Sequence, residues 1–253
     1  MKKSKLVFLS PDILVNINEA ASALGLTELQ FTLSPDEGFV VNKLDAAKAA
    51  HLKILLMPSD FESYSVPDNR VVCIDMDSLT TVVGRLKRLK EPIEIVIADN
   101  EMIFANLGKP RREFTINLLS PAEQSKELMS DFPTKVVVDV DEMNEQVKDL
   151  NGIAAHAVVQ VVDGLLTVQG EGEKGKVSIQ TSLTELGLVK SYEGPNARAM
   201  YAMGYLFEAF KFLKQNKFET VKLCFTDDKP ITLTTELGEG EIRILIAPRV
   251  ERR

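Results

Sequence analysis

The chain runs through one order of elements twice, on either side of a break near its midpoint. The break is residues 118–133, Leu-Leu-Ser-Pro-Ala-Glu-Gln-Ser-Lys-Glu-Leu-Met-Ser-Asp-Phe-Pro. Its prolines, serines and mixed charges interrupt both the two-residue period of strands and the 3.6-residue period of helices, so it reads as a connector. A strand-like run at 112–118 enters it and another at 135–140 leaves it. Each side reads strand, helix, strands, helix, strands. This is a two-fold internal duplication joined by a long exposed strap. A connector of roughly 12–15 residues with no periodicity is usually functional or disordered.

In the first half, residues 6–9 predict a strand. Ser10 then caps a helix with Pro11 at its first position, Ile13, Leu14, Ile17, Ala20, Ala21 and Leu24 inward, and Gly25 at its end. Val15, Asn18, Glu19 and Ser22 form its predicted outward face. Strands follow at 28–33, 38–43, 49–57 and 71–74. A second helix runs from Asp77 to about Lys90, stopped by Pro92, with Leu79, Val82, Val83, Leu86 and Leu89 buried. Strands return at 93–98, 102–107 and 112–118.

The second half predicts a strand at 135–140 and a helix at 141–150 with Met143, Val147 and Leu150 inward. Strands at 157–162 and 165–169 are turned by Asp163-Gly164, and another spans 176–182. The last helix covers roughly 198–214, with Arg198 at its start and Met203, Leu206, Ala209, Phe210 and Leu213 buried. Strands at 220–225, 231–236 and 241–246 close the chain. A few helices against many antiparallel strands is an α+β layout, not the βαβ alternation of a parallel sheet.

A chain of 253 residues with 45% hydrophobic content has material for one or two ordinary cores. The formal charge of -7 argues against a protein that grips nucleic acid over its whole surface, but not against an acidic body with a basic strip. Cys73 and Cys224 lie in apolar strand-like runs and read as small buried hydrophobes of a reducing compartment. The apolar run at 6–9 is too short for a signal peptide, and nothing approaches a membrane span, so a soluble intracellular protein is expected.

Chemistry is sparse. Gly170-Glu171-Gly172-Glu173-Lys174-Gly175 fits G-x-G-x-x-G and nearly a P-loop, which opens the alternative of a phosphate- or nucleotide-binding enzyme using Gly170 to Lys176. Both motifs need a helix directly after the glycines, because its first amides hold the phosphates. Here 176–180 alternates like a strand, which favours a loop between strands. His51 and His156 have no Cys or second His at metal spacing, so no metal site is predicted. Asp99-Asn100 and Asp227-Asp228 fall between hairpin strands, where turn chemistry accounts for them. No serine sits in a nucleophile elbow. No catalytic residue and no cofactor are predicted.

The cations are better ordered. On the second helix Arg85, Lys87, Arg88 and Lys90 lie beside or opposite the buried face; on the fourth, Lys211 is flanked by Lys214 and Lys217. The third offers Lys148 beside Glu145 and Asp149, and the first shows no outward cation. Cations confined to particular helices of an acidic chain can shape a local field, or simply complement helix dipoles.

At this point the sequence resembles the sliding-clamp family of proliferating cell nuclear antigen, particularly its archaeal members. Six ordered motifs carry the likeness: Leu44-Asp45; Asp60-Phe61-Glu62-Ser63-Tyr64; Asp163-Gly164-Leu165 followed by Gly170-Glu171-Gly172; Tyr201-Ala202-Met203-Gly204-Tyr205-Leu206; Asp227-Asp228-Lys229-Pro230-Ile231; and Leu245-Ile246-Ala247-Pro248-Arg249-Val250-Glu251. They span almost the whole chain. The chain departs from the family at Ala46-Ala47-Lys48-Ala49, where Ser-His-Val is common, and at Leu245, where an aromatic residue is frequent.

The resemblance implies an α+β DNA clamp fold of two duplicated clamp domains, with antiparallel sheets outside and four helices lining a ring of three subunits. The domains would be 1–117 and 134–253, with 118–133 as the interdomain connecting loop. By this likeness the protein encircles duplex DNA without sequence preference, as a DNA polymerase processivity factor, and works in DNA replication and repair; a scaffold subunit that forms no ring around DNA is a further alternative. Arg85, Lys87, Arg88, Lys148, Lys211 and Lys214 would face DNA. Leu44, Leu118, Leu119, Leu128, Met129, Pro230 and Leu245 would receive partner peptides. The implied partners are DNA polymerase, flap endonuclease, DNA ligase and the clamp loader, together with identical or paralogous subunits in a homotrimer or heterotrimer. The implied location is the cytoplasm at the nucleoid, or the nucleus in a eukaryote.

Overall fold

The computed structural model describes residues 3–122, 125, 128, 131–184 and 187–249. They form two compact units. The first comprises Met1–Ala46, Leu52–Glu127 and Glu236–Ile242; the second comprises Ala47–His51, Leu128–Thr235 and Arg243–Arg253.

The first unit runs β1 (Ser4–Phe8), α1 (Asp12–Ala23), β2 (Glu28–Ser34), β3 (Gly38–Leu44), β4 (Ala50–Leu56), β5 (Ser63–Ser65), β6 (Arg70–Asp75), α2 (Met76–Leu86), β7 (Ile93–Ile97), β8 (Glu101–Asn106) and β9 (Glu113–Asn117). One sheet has the order β5-β1-β7-β8-β9, and β6, β2, β3 and β4 are neighbours in a second. Alternation builds both. In β7, for example, Ile93, Ile95 and Ile97 are buried while Glu94 and Val96 are only partly so. Phe8 meets Phe61 at 4.7 Å between ring centroids, Phe61 meets Tyr64 at 4.8 Å, and Phe31 meets Phe39 at 4.6 Å. Such tilted pairs add about 0.5–1.5 kcal/mol beyond burial alone. The Tyr64 hydroxyl donates to the Ser34 carbonyl at 2.8 Å, and burial pushes its pKa up to about 12.

The second unit runs β10 (Thr134–Asp139), α3 (Val140–Leu150), β11 (His156–Val162), β12 (Leu165–Gly172), β13 (Gly175–Ser182), β14 (Val189–Glu193), β15 (Ala197–Ala202), α4 (Met203–Gln215), β16 (Thr220–Phe225), β17 (Ile231–Leu237) and β18 (Gly240–Ile246), the last two shared with the first unit. One sheet has the order β13-β12-β11-β15; in the other β14, β10, β16 and β17 are neighbours. The strand pairings described in both units are antiparallel, for example Val159↔Val168 and Val159↔Ala199. The Asp163-Gly164 turn has both residues at positive φ, 50° and 78°, as a two-residue hairpin turn requires.

The two units start their helices alike. Asp75 ends β6 and its carboxylate accepts from the Ser78 amide at 2.8 Å, capping α2. Asp139 ends β10 and accepts from the Glu142 amide at 3.1 Å, capping α3. Each cap satisfies one of the amides that a helix start leaves open. In the first unit α1 packs on α2; in the second α3 packs on α4.

Several expectations are corrected. The second helix begins at Met76, capped by Asp75, and ends at Leu86, so Arg88 and Lys90 lie beyond it. Pro11, not Ser10, is the residue before the first helix; the Ser10 hydroxyl accepts from the Asp12 amide at 3.2 Å. Val15 and Asn18, predicted outward, are buried, because α2 covers that side of α1: the Thr80 hydroxyl donates to Asn18 Oδ1 at 2.9 Å. Arg198 sits in strand β15 and not at a helix start. There Ala197, Ala199 and Tyr201 face the core at two-residue spacing, and the alanines hide the strand under good helix formers. β5, β14 and β15 were all missed as strands.

Candidate nucleic-acid interface

Arg85 lies in the last turn of α2, where its guanidinium stands 5.9 Å from the centre of the Phe114 ring on β9. Lys87, the residue that ends α2, reaches across to α1, its Nζ 3.2 Å from Glu19 Oε1. Arg88 is exposed just beyond. In the second unit, Glu145 of α3 collects two cations: Lys148 Nζ at 3.3 Å and Lys214 Nζ at 2.7 Å. Lys214 also stands 3.6 Å from Asp141, and Lys211 pairs with Glu208 at 2.9 Å. Hydrogen bonds from Lys214 and Lys148 hold Glu145 below the ordinary carboxylate range, and its hydrogen bond raises Lys214, so the cluster stays ionised.

The six cations expected to face DNA therefore fall into two classes. Lys87, Lys148, Lys211 and Lys214 are each matched to a carboxylate, whereas Arg85 and Arg88 have no ion pair among the described residues. These are surface pairs, individually weak because solvent screens them. An anion approaching such a lysine would have to compete with its resident carboxylate.

The residues expected to dock peptides are distributed over both units. In the first, the Leu118 amide donates to the Asn100 carbonyl at 2.9 Å and the Leu119 amide to the Cys73 carbonyl at 2.8 Å. The Leu119 side chain remains 37% exposed, enough to offer a contact surface. Leu44 is half-buried, and its amide donates to Ser125 Oγ at 3.3 Å. In the second unit Leu128 and Pro230 are half-buried and Leu245 is buried. Met129 lies outside the described residues.

Two polar residues that the sequence reading passed over fix the strap. Gln30, buried in β2, donates from Nε2 to the Ala122 carbonyl at 3.0 Å and accepts at Oε1 from the Ala122 amide at 2.8 Å. Asn42 of β3 donates to the Ser125 carbonyl at 3.0 Å. The available signal was a glutamine and an asparagine inside apolar strand runs, where a polar group needs a partner.

The glycine-rich stretch forms the β12–β13 hairpin, pairing Gly172 with Gly175, and no helix follows it. A Cβ on Gly172 would come 2.1 Å from the Ile153 carbonyl oxygen, so close packing requires that glycine. His51 is buried in β4 and His156 is half-buried at the start of β11. Asp227 acts as a turn residue, its Oδ1 accepting from the Arg198 amide at 2.7 Å.

No family model matches the chain. A DNA polymerase sliding clamp from Pyrococcus abyssi is 26% identical over 252 residues, 98% of each chain. The chain is thus similar, along nearly its whole length, to DNA polymerase sliding clamps of archaea. The clamp of Methanosarcina barkeri is likewise 26% identical, over 92% of this chain and 93% of its own. The fold agrees with solved clamps. The PCNA of A. fulgidus, seen bound to the C-terminal region of FEN-1, superposes with a TM-score of 0.86 at 19% identity, covering 99% of this chain and 100% of that one. A PCNA2–PCNA3 complex from Sulfolobus tokodaii gives 0.85 at 20%, covering 98% and 100%. Among the described residues the chain thus has four α-helices and antiparallel sheets, the α+β clamp fold of these structures.

Proposed function

We propose that this chain is a sliding clamp: it closes as a ring of three subunits around duplex DNA, holds DNA polymerase on its template, and serves as a docking platform for replication and repair proteins. The observation that carries this is the repeated helix pair. Each unit sets two packed helices beside antiparallel sheets and puts its candidate DNA-facing cations on or next to those helices. Contacts of this kind bind DNA weakly, with dissociation constants of roughly 10⁻⁴–10⁻⁶ M. A closed ring needs no more, since topology prevents loss and weak contacts permit sliding.

Ring closure calls for complementary edges. β9 ends the first unit's five-stranded sheet, and β13, eight residues long, ends the second unit's four-stranded sheet. The edge of β14 is blunted by a bulge and by Lys190 and Glu193, whereas β13 alternates half-buried Val177 and Ile179 with exposed Lys176, Ser178 and Gln180. Pairing β9 of one subunit with β13 of the next is a head-to-tail contact, which forms a ring when the rotation closes. A homotrimer and a heterotrimer with paralogous subunits both satisfy it.

The strap, 118–133, is taken as the loop between domains 1–117 and 134–253. The likeness to the A. fulgidus clamp supports partner-peptide docking at Leu44, Leu118 and Leu119 in the first unit and at Leu128, Met129, Pro230 and Leu245 in the second. DNA polymerase, flap endonuclease and DNA ligase would dock there, and the clamp loader would open the ring. The protein on this reading is no enzyme and works in the cytoplasm at the nucleoid. Reversal of Arg85, Arg88, Lys211 and Lys214 to Glu tests it. Loading on nicked circular DNA and polymerase stimulation are expected to collapse; unchanged values refute the DNA-facing assignment.

A further inference from the structure

The geometry points to a second binding surface, separate from strap and helices: a cationic groove on the second unit's β13-β12-β11-β15 sheet that takes an acidic peptide segment of a partner protein. The groove has a volume of about 660 Å³ and is lined in part by His156, Glu171, Lys176, Arg198, Met200 and Arg249. That size lies within the range of ordinary ligand pockets.

The strand alternation defines which face this is. Gly170 faces α3, since a Cβ there would stand 3.3 Å from Leu150 Cδ2. Its neighbours Gln169 and Glu171 therefore face the other way. Register puts Val158 opposite both Gln169 and Met200, and Glu171 opposite Lys176. The chain's closing segment supplies another wall. The Arg249 amide donates to the Met200 carbonyl at 2.7 Å, and Tyr201 is bridged to Pro248.

The charge of this face differs from that of the helices. Three permanent cations share it with one carboxylate, and Lys176 lies 3.8 Å from that carboxylate. Arg198 and Arg249 are both exposed and have no side-chain ion pair among the described residues. On the helices most lysines are already matched. Concentrating two unmatched guanidinium groups in one concavity, on a chain of net charge -7, makes a local positive potential. Guanidinium forks select carboxylates and bind them with two hydrogen bonds.

Val158, 7% exposed, and half-buried Met200 give the groove an apolar floor between these cations. The complementary ligand alternates acidic and aliphatic side chains. A nucleic-acid strand fits less well. The one ring in the lining is the half-buried imidazole of His156, which offers no row of stacking platforms, and Glu171 interrupts any phosphate track.

The test is fluorescence anisotropy on the full chain. The probe is a labelled peptide of about twelve residues made of Asp, Glu and Leu, long enough to cross the groove at ~3.4 Å per residue. Its control replaces the acids with Lys, and unlabelled oligothymidylate serves as competitor. The acidic peptide is expected to bind and the basic one not. Combined Arg198→Glu and Arg249→Glu should weaken binding at least about tenfold. Lys222→Glu, elsewhere in the second unit, should leave it unchanged. Arg198→Gln with Arg249→Gln, each variant checked by thermal unfolding, replaces the reversal if that one fails to fold. Absence of binding, equal binding by folded arginine variants, or tighter binding of oligothymidylate at the same residues overturns the assignment.

Discussion

One side-chain amide, that of Gln30, closes a two-hydrogen-bond ring with the backbone of Ala122, at 3.0 Å and 2.8 Å. Gln30 in effect offers the strap a single peptide unit of strand, from a position buried within β2. Gln30→Ala removes both bonds, and each is worth about 0.5–1.5 kcal/mol. The expected outcome is loss of amide hydrogen-exchange protection at Ala122 and weaker docking of partner peptides at the strap, with the rest of β2 still protected. Gln30→Glu keeps the acceptor and loses the donor, so it should fall between.

Glu145 holds Lys148 and Lys214 against the helices. Neutralising it by Glu145→Gln frees Lys148, leaves Lys214 only its longer 3.6 Å pair with Asp141, and removes one like-charged obstacle to phosphate. DNA affinity at low salt should rise. If both lysines reach phosphates, the plot of log affinity against log salt should steepen by up to about 1.8. Titrations from low to moderate salt check this, and an unchanged slope would remove both lysines from the interface.

Asn106 controls the approach to β9. It is 1% exposed, its amide donates to Glu91 and, at 3.2 Å, to the Pro110 carbonyl, and its Oδ1 accepts from the Arg112 amide at 2.6 Å. Asn106→Ala leaves these groups without their partner, at a cost of about 1–3 kcal/mol. Urea denaturation should show that loss. Light scattering should show a smaller share of assemblies at three times the 28.1 kDa subunit mass, because the turn that presents β9 is no longer fixed.

Acid should weaken the fold through a small set of carboxylates. Hydrogen bonds from Lys5 and Arg111 hold Glu94 below its ordinary value, and those from Ser78 do the same for Asp75. For Asp139, burial pushes upward but the Glu142 amide and Lys190 outweigh it. Each folded pKa is depressed, so the stabilisation is complete above the unfolded values of 4.5 for Glu and 3.8 for Asp and is lost as pH falls through the lower folded values. The urea midpoint should be flat from neutral pH to about 5 and fall below about 4. Glu94→Gln should flatten part of that fall.

Some of this was legible in the chain, for physical reasons that can be named. The buried face of α2 was readable because Leu79, Val82, Val83 and Leu86 recur at helical spacing with no competing signal. The Asp163-Gly164 turn was readable because its backbone angles admit few residues. By contrast β15 was hidden because alanine, the best helix former, fills two of its three buried positions. Val15 and Asn18 were misplaced because a helix touching two neighbours buries a wider face than its strongest hydrophobes mark. The pairing of Glu145 with Lys214 could not be foreseen at all. It depends on α3 lying against α4, a contact between segments far apart in sequence, unlike the local Lys148–Glu145 pair three residues apart on α3.

On the proposed pairing of β9 with β13, the subunit is polar in the sense of a building block with distinct head and tail. A subunit with β9 disabled and β13 intact can still join a neighbour, yet nothing can join it in turn. It is a chain terminator, and on a random draw even a minority of such subunits would spoil a large share of three-membered assemblies. The same asymmetry lets duplicated genes diverge at one edge at a time, so that the order of unlike subunits around a ring could be written in a few residues of β9 and β13 alone.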